Sequence, residues 1–133
     1  MSRPAVTPTV LVVDDEEANL HLIEDALVPL GWTVVSCLDA RSAAQFLAGA
    51  RPSLVLLDAV MPEESGIEVC RRWRARRLLE NVPIVLLTSV TAPAYRSLGV
   101  VAGANGFLDK PLDADALVRF ARRWANGREA LAG

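Results

Sequence analysis

With one histidine, two cysteines and an aromatic share of 5%, this 133-residue chain is short of several kinds of chemistry. His21 with Cys37 and Cys70 cannot make a convincing zinc set, and no CxxC spacing is present. Two such cysteines fit a reducing cytoplasm better than a disulfide scaffold. Neither sign of charge dominates: 14 basic against 16 acidic residues leave a net charge of -2. No global field therefore draws the chain to nucleic acid or to an anionic membrane. No run approaches the ~18 apolar residues of a membrane helix, and the proline-bearing stretch 1–8 has no apolar core of a leader. The scarcity of aromatics predicts an aliphatic core.

What is present is a hydrophobic fraction of 52%, enough for one compact domain. Short apolar runs alternate five times with longer amphipathic segments. The pattern predicts strands over 9–13, 33–36, 53–57, 82–87 and 106–108. Helices are predicted over 16–30, 40–47, 65–79, 93–102 and 113–124, with Gly31 stopping the first and Asp39 capping the second. Near-continuous aliphatic strands imply a parallel sheet covered on both faces, a doubly wound α/β sandwich. The expected organisation is an arm over 1–8, one domain over 9–125, and a tail or linker start over 126–133.

In a parallel sheet, strand ends of one polarity lie along one edge, so distant residues converge there. Asp14, Asp15, Asp58, Thr88 and Lys110 each stand at or just past the end of an apolar run. Three carboxylates, a hydroxyl and an ammonium at one edge suggest a divalent cation and a phosphoryl group. Mg²⁺ takes oxygen ligands, and Asp15 and Asp58 could supply two, with Asp14 acting directly or through water. Without a cation, crowded carboxylates repel one another and their pKa values rise. A carboxylate that attacks a phosphoryl donor becomes an acyl phosphate, while Lys110 and Thr88 are suitable donors to the equatorial oxygens.

The ordered motifs LVVDDE (11–16), DAVMPEESG (58–66), VLLTS (85–89) and GANGFLDKP (103–111) resemble the receiver domain of two-component response regulators. The resemblance covers roughly 9–124. It implies a flavodoxin-like five-stranded sheet in the order 2-1-3-4-5, with Asp58 phosphorylated from a partner's phosphohistidine. It further implies that Asp14, Asp15, Asp58 and the Val60 backbone carbonyl hold Mg²⁺. Thr88 would donate to the phosphoryl group and Lys110 would pair with it. Pro111 would follow a cis peptide, Met61, Pro62 and Gly66 match the loop after the acceptor, and Phe107 stands at the switch aromatic. The implied partner is a histidine kinase or a histidine phosphotransfer protein. A homodimer through the face formed by 93–102, 106–108 and 113–124 is a further expectation, with no direct nucleic-acid or membrane binding.

Each of these residues also has a plainer reading. Asp14 and Asp15 could cap the following helix, Asp58 could be a loop residue, Lys110 a surface lysine and Phe107 a core aromatic. Arg71, Arg72, Arg74, Arg76 and Arg77 form the densest charge run, read as a solvated helix face or a partner-docking patch. His21 reads as a surface residue, Trp32 and Trp124 as packing, and Cys70 as an ordinary thiol.

Ser89 stands where the family more often has alanine, a tolerable change. The resemblance implies that side chains two residues after Asp58 and Thr88 influence attack of water on the acyl phosphate; Val60 and Val90 stand there, cannot orient water, and predict slow self-dephosphorylation. Pro93 and Gly99 mark the fourth helix as soft, since interior glycine costs ~1 kcal/mol relative to alanine. Two rival functions remain. A haloacid-dehalogenase-like phosphatase would want Asp-x-Asp after the first strand, where Asp14-Asp15-Glu16 stands, and a cap domain. A phosphorylation-independent interaction module of the same fold would not need intact Asp58, Thr88 and Lys110. The domain is expected to catalyse only its own phosphorylation and dephosphorylation. Nine residues follow Trp124, so either a stand-alone receiver or one cut from a longer regulator is expected.

Overall fold

A computed structural model describes residues 7–132, and side chains over 7–124. The expected arm over 1–8 thus lies outside the described residues, apart from its last two. Five strands alternate with five helices: β1 (Thr9–Val13), α1 (Glu17–Leu27), β2 (Thr33–Cys37), α2 (Ala40–Leu47), β3 (Leu54–Asp58), α3 (Gly66–Ala75), β4 (Ile84–Thr88), α4 (Pro93–Ala102), β5 (Gly106–Asp109) and α5 (Ala114–Ala132). All strand pairs are parallel, in the order β2-β1-β3-β4-β5. The doubly wound, flavodoxin-like sandwich read from the sequence is the observed architecture.

The period of two along each strand divides the core into two layers. Leu11, Val13, Val55, Leu57, Ile84 and Leu86 point to the face covered by α2, α3 and α4, where Ala43, Val69, Trp73 and Ala102 meet them. Val10, Val12, Leu54, Leu56, Val85 and Leu87 point to the other face, against Leu20, Ile23 and Leu27 of α1 and Leu117 and Ala121 of α5. Both layers are largely aliphatic. The central strands β3 and β4 are buried along their whole length, so their register is strongly specified.

Several boundaries differ from the sequence reading, for local reasons. α1 ends at Leu27 and a 3₁₀ turn (Val28–Leu30) follows, because Pro29 removes a backbone donor. Gly31, at φ 95°, then turns the chain into β2. α3 stops at Ala75, where Arg77 adopts the left-handed conformation at φ 58°. Leu79 still reaches the core, from a turn instead of the helix. α5 begins at Ala114 and runs to Ala132, past the expected end at Trp124. Trp32 and Trp124 pack with ring centroids 5.0 Å apart and planes tilted by 53°, joining α5 to the segment just before β2.

Candidate functional site

The C-terminal edge of the sheet gathers four of the strand-end residues from four strands. Asp14 follows β1, Asp58 and Thr88 are the last residues of β3 and β4, and Lys110 follows β5. Asp58 stands level with Leu87 on the neighbouring strand, and Thr88 with Asp109. Asp14, Asp58 and Thr88 are buried, whereas Asp15 faces solvent. Carboxylate oxygens of Asp14, Asp15 and Asp58 lie within 4.8 Å of one another. Lys110 Nζ bridges two of them, 3.1 Å from Asp14 Oδ2 and 3.2 Å from Asp58 Oδ1. The ammonium offsets the repulsion between two buried carboxylates.

The remaining donors nearly complete the set. The Glu16 N–H donates to Asp14 Oδ1 at 2.9 Å, and the Asn19 side-chain amide to Oδ2 at 3.1 Å. The Val60 N–H donates to Asp58 Oδ1 at 3.1 Å. Asp58 Oδ2 alone is buried without a partner among the described residues. A buried orphan acceptor is costly, and beside two further carboxylates and an ammonium it suits a cation or a phosphoryl group. Thr88 Oγ1 accepts from the Val90 N–H at 3.0 Å, and the Lys110 N–H donates to the Thr88 carbonyl at 3.0 Å. The Lys110–Pro111 peptide is cis.

Burial pushes the Asp58 carboxyl up from 3.8 to about 6. The Val60 N–H and the Lys110 ammonium pull it down, and the charge of Asp14 pushes it further up. Burial also works against the charge on Lys110, but its hydrogen bonds and ion pairs with Asp14 and Asp58 outweigh this and hold its pKa above the ordinary value. The lysine therefore stays cationic, while the Asp58 carboxyl takes up a proton at higher pH than an ordinary carboxylate. Three carboxylates, one with an unpartnered buried oxygen, form the hard-oxygen donor set that Mg²⁺ takes. The residues fit that ion.

Neither Asp14 nor Asp15 caps α1: its N-cap is Glu16, which makes no side-chain cap bond. Val60 is 65% exposed beside Asp58, and Val90 is partly buried. Gly66, the first residue of α3, packs so tightly that an added Cβ would lie 2.1 Å from the Asp58 carbonyl oxygen. Phe107 is partly buried against the core, with Arg96 of α4 over its ring. The arginine run divides between a solvated face, with Arg71, Arg76 and Arg77 exposed, and inward contacts by Arg74. Arg71 pairs with Glu68, Arg72 with Glu64 and Arg77 with Glu80, while Arg74 donates to the carbonyls of Leu79 and Gly103. Sequence reasoning missed Asn19 and Arg96, because no local pattern distinguishes either from a solvated helix residue.

The family model for the response regulator receiver domain matches residues 10–122. Response regulator PleD of Caulobacter vibrioides is 36% identical over 104 residues, 78% of this chain and 23% of PleD. Response regulator MprA of Mycolicibacterium vanbaalenii is 36% identical over 109 residues, 82% of this chain and 46% of MprA. The chain thus spans less than half the length of these curated relatives. Among solved structures, chemotaxis protein CheY4 of Vibrio cholerae superposes with a TM-score of 0.83 at 29% identity, over 89% of this chain and 98% of that one. A DrrB receiver domain described as BeF3 activated gives 0.76 at 25% identity, over 91% and 99%. Sequence, topology and strand-end chemistry agree: the chain belongs to the response regulator receiver domain family, a family of signalling domains.

Proposed function

We propose that Asp58 is the phosphoacceptor of a phosphorylation-activated switch, fed by the phosphohistidine of a partner kinase or phosphotransfer protein. The observation that carries this reading is the buried Asp58 carboxylate, with Oδ2 unpartnered and Lys110 against Oδ1. In the transfer, an Asp58 oxygen forms a bond to phosphorus as the P–N bond breaks, and its electron pair returns to the imidazole, which takes up a proton. Asp14, Asp15, Asp58 and the Val60 carbonyl would hold Mg²⁺, which would supply charge neutralisation at the phosphoryl oxygens. Lys110, already cationic and shared between two carboxylates, follows the new charge on Asp58. Thr88, at the end of the adjacent strand, supplies the hydroxyl that reads it. Phe107 and the surface of α4, β5 and α5 then rearrange, which needs a few kcal/mol of differential interaction.

On this reading the domain works as a switch and turns over no metabolite, and the bacterial cytoplasm is its setting. The BeF3-activated state of the DrrB receiver domain supports the use of a phosphoryl mimic here. The direct test is incubation with Mg²⁺ and a small acyl-phosphate donor, followed by peptide mass spectrometry. One phosphoryl group is expected on the peptide carrying Asp58, and none on the Asp58→Asn protein. Label at another residue, or none at all, refutes the assignment.

A further inference from the structure

One guanidinium ties together the three segments that the proposed switch has to move. Arg96 Cζ lies 4.8 Å from the centroid of the Phe107 ring. Its Nη2 is 2.6 Å from Asp109 Oδ1, and its Nε–H donates to the Val90 carbonyl at 3.3 Å. Asp109 immediately precedes Lys110 on the chain. Val90 is equally close to the chemistry, since its N–H donates to Thr88 Oγ1 at 3.0 Å. The same side chain therefore touches the aromatic, the neighbour of the lysine, and the peptide that holds the threonine hydroxyl.

The seat of the ring is shaped from α4 as well. A Cβ at Gly99 would lie 3.0 Å from Phe107 Cζ and 3.0 Å from Leu86 Cδ1. Glycine leaves a notch there, the ring edge fills it, and Arg96 covers the ring face. This gives the interior glycine of α4 a packing reason that outweighs its low helix propensity. An isolated surface ion pair would do little, because solvent screens it. Arg96 differs: its side chain is 28% exposed, and one planar group serves a ring, a carboxylate and a carbonyl at once.

These contacts belong to the arrangement in which Lys110 pairs with both Asp14 and Asp58. We propose that Arg96 is a positioning residue that holds Thr88, Lys110 and Phe107 in this arrangement, the one that loading of Asp58 has to break, and so sets how strongly Asp58 must be loaded before the switch turns. The proposal rests on Asp58 being the phosphoacceptor. Displacement of Thr88 pulls on the Val90 peptide, displacement of Lys110 pulls on Asp109, and rotation of Phe107 leaves the guanidinium uncovered. Each movement breaks a contact to the same group, so the three are coupled through it. A ligand that needs a minor conformer binds with an affinity reduced by that conformer's population. Loss of contacts peculiar to the resting arrangement raises that population.

The test is titration of the full chain with beryllofluoride in the presence of Mg²⁺, followed by calorimetry and by fluorine NMR. Arg96→Ala should bind the mimic roughly fivefold or more tighter than the wild type, as expected when a partly exposed cation–π contact and its ion pair are lost from the resting state alone. Arg96→Lys keeps a charge for Asp109 but loses planar stacking, and should fall between the two. Asp109→Asn removes the ion pair and leaves the ring contact, and should tighten binding by a smaller factor. It keeps the question answerable if Arg96→Ala does not fold. A merely structural arginine would change the thermal midpoint and leave mimic affinity alone. Unchanged or weaker binding by the folded variants overturns the latch while leaving Asp58 as acceptor. A wild type that does not bind the mimic overturns the phosphorylation reading, and the latch with it.

Discussion

Replacement of Asp58 by asparagine should make the metal-free protein more stable near neutral pH, even though it abolishes the proposed chemistry. The folded state raises the Asp58 pKa from 3.8 to about 6, chiefly through burial. A group whose folded pKa exceeds its unfolded value favours folding while protonated, and that contribution disappears as pH rises through the folded pKa. At about pH 7.5 the carboxylate is ionised, and at 1.36 kcal/mol per pKa unit the rise corresponds to ~3 kcal/mol of lost stability. Asparagine has the same shape and no charge, but it gives Lys110 a weaker partner than the carboxylate at 3.2 Å. A net gain of about 1–3 kcal/mol follows, or roughly 4–10 °C in Tm for a domain of this size. The assay is thermal unfolding of both proteins with chelator, at about pH 7.5 and about pH 5. The gap should shrink on acidification, because the wild-type carboxyl is then protonated too. It should also shrink with added Mg²⁺, whose binding favours the wild type. A variant less stable at pH 7.5, or a gap that ignores pH, would refute the reasoning.

Val60→Asn should speed loss of the phosphoryl group, because an exposed amide beside Asp58 can orient water where valine cannot; a timed decay assay that shows no change would sink the idea. Gly66→Ala should destabilise the fold by about 3 kcal/mol or more, since its Cβ would lie 2.1 Å from the Asp58 carbonyl oxygen. Denaturant unfolding measures this, and a neutral result would mean that the loop after β3 yields easily. Asn19→Leu should weaken Mg²⁺ binding roughly tenfold in calorimetry, because the amide that orients Asp14 Oδ2 at 3.1 Å is lost. Unaltered Mg²⁺ affinity would show that the Glu16 N–H and Lys110 suffice to hold Asp14.

The sheet was legible because parallel strands buried on both faces have to be almost wholly aliphatic, and Val10–Val13, Leu54–Leu57 and Ile84–Leu87 are. Helix ends were less legible. Apolar Leu78 and Leu79 suggested that α3 continues, but Arg77 turns left-handed and delivers Leu79 to the core by another route. The placement of Asp14, Asp58, Thr88 and Lys110 at one edge followed from strand polarity alone. Which oxygens Lys110 bridges, and that Asp58 Oδ2 is the one left bare, did not.

The arginine run shows the limit most clearly. Five arginines within seven positions read equally well as a solvated face or a docking patch. Arg71, Arg76 and Arg77 stay on a solvated face, two of them beside the exposed Glu68 and Glu80, whereas Arg74 turns inward to the Gly103 carbonyl, 29 residues away. Asn19 and Arg96 are the same case: ordinary helix residues until packing brings Asp14, Phe107 and Asp109 against them. Sequence alone determined the layers and the edge at which chemistry gathers, because periodicity and strand polarity are properties of local chain order, and its ordered motifs carried the resemblance to the family. Only the tertiary structure decided which side chains meet across elements and which acceptor stays unsatisfied. Those depend on distances of about 3 Å between residues that no local pattern relates.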